Sequence, residues 1–322
     1  MTSPLLSRPG AVPADPPDEA VAAHYGDPFR EQRRLTEGVG AVDLSHRPVL
    51  RVAGPERLSW LHSLTSQHLE SLAPGVATEA LVLSPHGHVE HALYLVDDGE
   101  ATWMHVEPGT AEGLLGYLES MKFWTKVEIE DVTSSYAVVW EPARVEHAEH
   151  LSRVWPPGRD GDGTDDPLAG REVFLPRERL ASYVGTDHPA GLWAYEALRV
   201  AAGRPRLGFE TDHRTIPHEV GWLSTAVHLD KGCYRGQETV ARVHNLGRPP
   251  RRLVRLHLDG SGSDLPAHGD PVELDGRVVG FVGTAVRHFE LGPIALALVK
   301  RNTAEDAVLL AGGVPATQEA LG

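Results

Sequence analysis

Cysteine is almost absent from this chain: Cys233 is the only one in 322 residues. A single thiol excludes an internal disulfide framework and any all-cysteine metal site within the chain, and it fits a reducing compartment. Lysine is scarce too, with only Lys122, Lys126, Lys231 and Lys300 among 30 basic residues. No apolar run approaches the roughly 20 residues needed to cross a bilayer. Prolines at 4, 9, 13, 16 and 17 interrupt any signal-peptide core near the N-terminus. A cytoplasmic protein with no membrane partner is expected. Basic charge is also in deficit, with 45 acidic residues against 30 basic ones and a net charge of −15. Such a body repels phosphate backbones, so direct nucleic-acid binding is not expected. Internal repeats and coiled-coil heptads are missing.

The length is enough for two or three domains. Residues 1–26, rich in proline, read as a disordered tail. Asp27-Pro28 then reads as an N-cap and first helical position, opening a helix to about Thr36. Val39–Leu44 and Val49–Ala53 are strand-like, and Gly54-Pro55 starts a helix with Leu58, Leu61 and Leu64 on one stripe. Ser-Pro-His-Gly-His at 84–88 separates Val76–Leu83 from Val89–Val96 as a hairpin turn would. A strand at Ala101–Val106 leads to a helix carrying Leu114, Leu115, Leu118 and Met121. Residues 156–170, dense in Gly, Pro and Asp, read as an exposed mobile loop. Helices are expected at about Pro189–Ala202, ended by Gly203, and at Gln237–Asn245, ended near Gly247. From Arg252 onward short β-prone runs alternate with turns, the pattern of a small antiparallel barrel or sandwich. The fold class is α+β: a tail (1–26), two α+β parts of one body (27–131 and 132–247), and a β-barrel (248–322).

Lys231-Gly-Cys-Tyr-Arg-Gly-Gln-Glu238 is the most informative segment. Glycines at 232 and 236 permit close backbone approach, and the helix starting at Gln237 aims its amides at this turn. Lys231, Arg235 and that helix end would each favour the Cys233 thiolate. The same residues also suit a small buried side chain in a glycine-lined turn. Trp193 and Tyr195, with Arg199 one turn beyond, could form an aromatic platform for a ring ligand or could be core. Arg242, Arg248, Arg251, Arg252, Arg255 and His244 form the one basic concentration, suited to an anionic ligand or to a solvated hinge. His86, His88, Glu90 and His91 lack the helical spacing of a metal motif, so no metal is expected; the reading is a solvated turn with one channel-facing His91.

Lys231-Gly-Cys-Tyr-x-Gly-Gln-Glu resembles the signature of the YgfZ branch of the YgfZ/GcvT superfamily of folate-binding proteins. The resemblance runs through Leu198–Gly208, Ile216-Pro-His-Glu-Val-Gly221, Arg242, Arg252-Leu253, Asp43-Leu-Ser-His46 and Val52-Ala-Gly-Pro55, in family order. It implies a three-domain, ring-like body with a small C-terminal antiparallel β-barrel, and tetrahydrofolate in a central channel. The YgfZ branch is associated with assembly or repair of iron–sulfur clusters in client enzymes, notably those that thiomethylate tRNA. On that resemblance Cys233 and Lys231 are the reactive group and its neighbour, and Tyr195, Trp193, Arg199, Glu238, Arg242 and His91 are the folate-binding candidates. The T-protein branch, an aminomethyltransferase of glycine cleavage, carries a Glu before its Ala-Gly and an Asp in the strand after its Gly-Gly turn. Ala201 and His91 stand in those places here. A folate-dependent aminomethyltransferase or demethylase is therefore the alternative to an accessory factor.

Overall fold

The computed structural model describes residues 1–142, 150–155, 166–185, 188–262 and 264–321. The first residues are not a disordered tail. A 3-10 turn at Pro4–Ser7 leads to the paired strands β1 (Val12–Pro13) and β2 (Ala22–His24). Leu5, Val21 and Ala23 are fully buried, and the Ser3 hydroxyl donates to Asp43. The prolines shape a packed extended segment because its apolar side chains and polar groups find partners far along the chain.

Helix α1 (Pro28–Thr36) begins as expected, the Asp27 side chain accepting from the Arg30 amide. β3 (Ala41–Asp43), β4 (Val49–Ala53) and α2 (Arg57–Leu64) follow. β5 (Ala77–Leu83) and β6 (Val89–Asp97) form the expected hairpin, extended by β7 (Ala101–His105), α3 (Ala111–Met121) and β8 (Glu128–Asp131). Their five-stranded sheet has the order β5-β6-β7-β4-β8. Strand alternation divides its faces. Leu93 and Leu95 meet Trp60, Leu61, Leu114 and Leu118 of α2 and α3, whereas Leu81, Leu83 and Ala92 face Trp222, Tyr234 and Val240.

A second sheet contains β9 (Tyr136–Pro142), β10 (Ser152–Trp155) and β11 (Gly170–Pro176). After α4 (Leu180–Tyr183) comes β12 (Pro189–Ala190), and the strand order is β10-β11-β9-β3-β12. β3 thus crosses the division expected at 131/132. Of the anticipated loop, 156–165 lies outside the described residues, and 166–169 form the turn into β11.

α5 (Leu192–Ala201) is buried along nearly its whole length. It enters tightly: a Cβ on Gly191 would lie 2.2 Å from the Ala23 carbonyl oxygen. α6 (Trp222–Thr225) and α7 (Gln237–Leu246) lead to the last unit. There β13 (Arg251–Leu258), β14 (Pro271–Leu274), β15 (Arg277–His288), β16 (Gly292–Lys300), β17 (Leu309–Ala311) and β18 (Val314–Ala320) close a barrel in the order β13-β16-β15-β14-β17-β18. Closure leaves no open strand edge. Val254, Leu256, Val282, Ala297 and Val299 fill it. The fold is mixed α+β with a C-terminal antiparallel barrel. No helix among the described residues is long and apolar enough to cross a membrane.

Candidate functional site

Both sheets, α5 and the first barrel strand converge on a cavity of about 450 Å³. Its wall includes Glu79 and Tyr94 from the first sheet, Arg153 and Glu172 from the second, Tyr195 and Arg199 from α5, the 204–206 and 218–222 segments, and Arg252. A volume of several hundred Å³ suits a small organic ligand.

Much of the polar wall is already paired. Arg153 donates to Glu172 at 2.7 Å and to Glu79 at 3.2 Å, and His105 lies 2.9 Å from Glu172. Arg206 clasps Asp18 at 2.9 Å and Glu107 at 2.9 Å, drawing the N-terminal segment into the centre. Arg199 donates to Glu196, Glu210 and Thr284, linking α5 to the barrel. Burial alone would raise the Glu172 carboxyl, but His105, Arg153 and Arg47 hold it well below the usual carboxylate range. For Glu107 too, Arg206 and Arg47 outweigh burial and leave it lowered. These charges are affordable in the interior only as a mutually satisfied set.

The wall also has unsatisfied groups. Both ring nitrogens of His218 and Nη1 of Arg252 are shielded from solvent without a hydrogen-bond partner among the described residues. Burial lowers the His218 pKa, favouring the neutral ring, which offers one donor and one acceptor. Buried polar atoms are ordinarily paired, so unpaired ones in two residues that line the cavity single out this part of its wall. The sequence pointed to Arg252 only as one member of the basic concentration, and to His218 only as part of Ile216–Gly221, with nothing local to separate either from its neighbours.

Of the eight residues singled out from the sequence, Tyr195 and Arg199 line this cavity. Neither is as free as expected. The Arg47 guanidinium lies 5.4 Å from the Tyr195 ring centroid, and Trp140 meets that ring edge-on at 5.6 Å. Tyr195 can therefore present an edge or its hydroxyl rather than an open stacking face. Arg199 is consumed by its carboxylate partners. Trp193, two residues from Tyr195 and hence across the helix, is 46% exposed beside His24.

His91 does not face the channel. It shares strand parity with Leu93 and Leu95, and its ring packs toward α3, where a Cβ on Gly113 would come within 3.3 Å of it. Burial lowers its pKa to about 4. Glu238 and Arg242 lie on the exposed side of α7, whose buried residue is Val240. Cys233 is exposed and is not part of the cavity wall. Lys231 turns away from it into the fold, its Nζ donating to the carbonyls of His62, Thr65 and Gln67. Burial lowers that amine's pKa to about 8. Arg235 pairs with Glu90 at 3.0 Å and lies over Tyr117. The basic concentration is largely structural: Arg251 holds Asp212 and Glu219, and Arg255 holds Glu319. No group of three or more possible metal ligands occurs among the described residues, the 86–91 segment included.

The glycine-rich turn has a clear structural task. Gly236 adopts φ +84°, and a Cβ there would lie 2.6 Å from the Ser84 carbonyl oxygen and 2.9 Å from the Gly87 Cα. Two backbones meet where side chains are absent, seating the 231–236 loop on the β5–β6 hairpin.

Residues 251–313 match the glycine cleavage T-protein C-terminal barrel domain. Over 98% of its length the chain superposes on 95% of the glycine cleavage system aminomethyltransferase T from Bartonella henselae, with a TM-score of 0.80 and 17% identity. The C-terminal barrel thus matches the T-protein barrel family, and the chain as a whole shares the fold of that aminomethyltransferase. Among similar proteins, an aminomethyltransferase from Rippkaea orientalis is 29% identical, over 84% of this chain and 81% of the relative. One from Nostoc is 26% identical, covering 86% and 81%. A chloroplastic Arabidopsis thaliana protein named as a transferase is 27% identical over 76% of this chain, which spans 61% of that protein.

Proposed function

We propose that the central cavity binds tetrahydrofolate and that the protein is a folate-dependent one-carbon transferase of the T-protein type. The observation that carries this reading is the cavity wall at the meeting of both sheets, α5 and the barrel, where the His218 ring and Nη1 of Arg252 lack a partner among the described residues while Arg252 Nη2 is held by Thr303 and Gln318. The relatives named aminomethyltransferases support the reaction class. The donor set fits the ligand: a pterin asks for a few polar partners in an otherwise enclosed site, and a glutamate tail asks for a guanidinium. His218 and the Tyr195 edge would hold the ring, and Arg252 would take a carboxylate. Tetrahydrofolate would supply the nitrogens that accept the one-carbon unit. The chain's own contribution is to orient it, exclude water and keep surrounding carboxylates ionised through their arginine partners.

A second reading follows from Cys233, exposed within the YgfZ-like octapeptide and outside the cavity wall. On it, the protein is an accessory factor for iron–sulfur clients, the thiol acting together with a partner's ligands. Titration with tetrahydrofolate, followed by an assay for folate-dependent release of a one-carbon unit from aminomethyl donors, separates the two. Turnover that survives Cys233→Ser supports the transferase. Saturable folate binding without turnover, together with loss of client-enzyme support in Cys233→Ser, supports the accessory factor. Absence of saturable binding rejects the cavity assignment itself.

A further inference from the structure

A second cavity, of about 510 Å³, lies away from the centre, between the N-terminal segment, α1 and Pro189. Three arginines line it: Arg8, Arg30 and Arg34. None forms an ion pair among the described residues. Arg8 spends one amino group, Nη2, on the backbone carbonyls of Ala181 and Gly185, while its Nη1 has no partner among the described residues. The other arginines that wall the central cavity are mostly clasped by carboxylates, Arg47, Arg153, Arg199, Arg204 and Arg206 each forming an ion pair. Three guanidinium groups around one hollow, none with a carboxylate partner among the described residues, stand out in a chain of net charge −15.

The acids of this cavity are committed to the backbone. Glu31 accepts from the amides of Tyr25 and Gly191, each at 2.8 Å, and Asp27 caps Arg30 N at 3.0 Å. Tyr25 lines the same cavity, and its buried hydroxyl has no hydrogen-bond partner among the described residues. A guanidinium presents a planar fork of donors that matches carboxylate and phosphate oxygens. We propose that this cavity is a binding site for a small multivalent oxyanion, a phosphorylated or polycarboxylate metabolite, held by Arg8, Arg30 and Arg34 with the Tyr25 hydroxyl. The site is separate from the central cavity, with which it shares no lining residue. Its concave, single-molecule scale and the acidity of the whole chain favour a small anion over a polyanion.

Calorimetric titration of the full chain with pyrophosphate and, in parallel, with citrate tests this. Saturable binding of either is expected, the tighter one naming phosphate or carboxylate as the preferred chemistry. Arg34→Gln should weaken it roughly tenfold, the loss of one charge-assisted contact, and Arg30→Gln/Arg34→Gln should weaken it further. Both changes lie on α1 and replace one good helix former with another, so folding is preserved. Arg8→Gln gives the same readout from a different element. Prior saturation with tetrahydrofolate should leave the oxyanion titration unchanged. No saturable binding at millimolar concentrations, equal affinity in the variants, or competition with tetrahydrofolate overturns the proposal.

Discussion

Lys231 and Cys233 are separated by one glycine, yet one is buried and the other exposed. The Lys231 amine satisfies carbonyls at the end of α2 and just beyond it, so Lys231→Met would leave His62, Thr65 and Gln67 short of a donor. A loss of about 2–4 kcal/mol is expected, read from the urea midpoint. Cys233→Ser, at an exposed site, should change the midpoint by less than about 0.5 kcal/mol. Rapid reaction of the native thiol with a thiol reagent would confirm the exposure, whereas reaction only after denaturation would refute it. His91 has a pH signature. Its folded pKa of about 4 lies below the free value near 6.5. Between those values the unfolded chain holds more protons, so this group's contribution falls as pH drops from 6.5 to 4 and is full above 6.5. His91→Leu should flatten stability against pH across that window. An unchanged profile would show that the ring does not stay neutral on folding.

At the scale of elements, the β5–β6 hairpin and the 231–236 loop depend on two glycines facing each other. Gly236→Ala combines a left-handed backbone with a collision against Ser84 and Gly87. Gly247, at φ +61° after α7, has open space where a Cβ would stand. Gly247→Ala should therefore cost about 1 kcal/mol from backbone strain alone, and Gly236→Ala about 1–3 kcal/mol more. Equal thermal shifts in the two variants would mean that the loop moves aside freely. The hairpin, α1 and the barrel were legible from the sequence because turn residues, caps and alternation act over a few positions. β9 and β11 were not identified because their pairing, with β3 and with each other, joins segments about 30 to 100 residues apart.

For the whole molecule, the buried charge network ties units that local pattern keeps separate. Arg206 joins Asp18 and Glu107, and Arg199 joins α5 to Thr284 of the barrel. Arg206→Met would strand two buried carboxylates and should cost about 3–5 kcal/mol. The pKa values of Asp18, Glu107, Glu172 and Glu196 are lowered in the folded state despite burial, because arginines, with His46 and His105, sit against them. Lowered values mean that their stabilisation is present above the free carboxylate range near 4 and is lost as pH falls through it toward the folded values. Urea midpoints from pH 7 to pH 3 should drop most steeply below about 4, and less steeply in Arg206→Met. A midpoint independent of pH there would deny the network a role in stability. At the proposed folate site, His218→Ala should weaken tetrahydrofolate binding by about 1–3 kcal/mol if the ring meets the ligand. An unchanged dissociation constant in a folded variant would remove His218 from the site.

By itself the sequence determined the α+β class, the caps of α1 and α7, the hairpin at 84–88 and the change to barrel strands after residue 250. Each rests on periodicity or on residues with restricted backbone angles, which are properties of neighbours in the chain. Tertiary structure decided which of the candidate residues meet. Helix rotation put Tyr195 on the cavity and Trp193 outside. Strand parity turned His91 toward α3. The demand of buried arginines for carboxylates drew Asp18 from an apparent tail into the centre, and the carbonyls beyond α2 took Lys231 away from Cys233. Those outcomes depend on partners up to 188 positions away, and no local pattern encodes them.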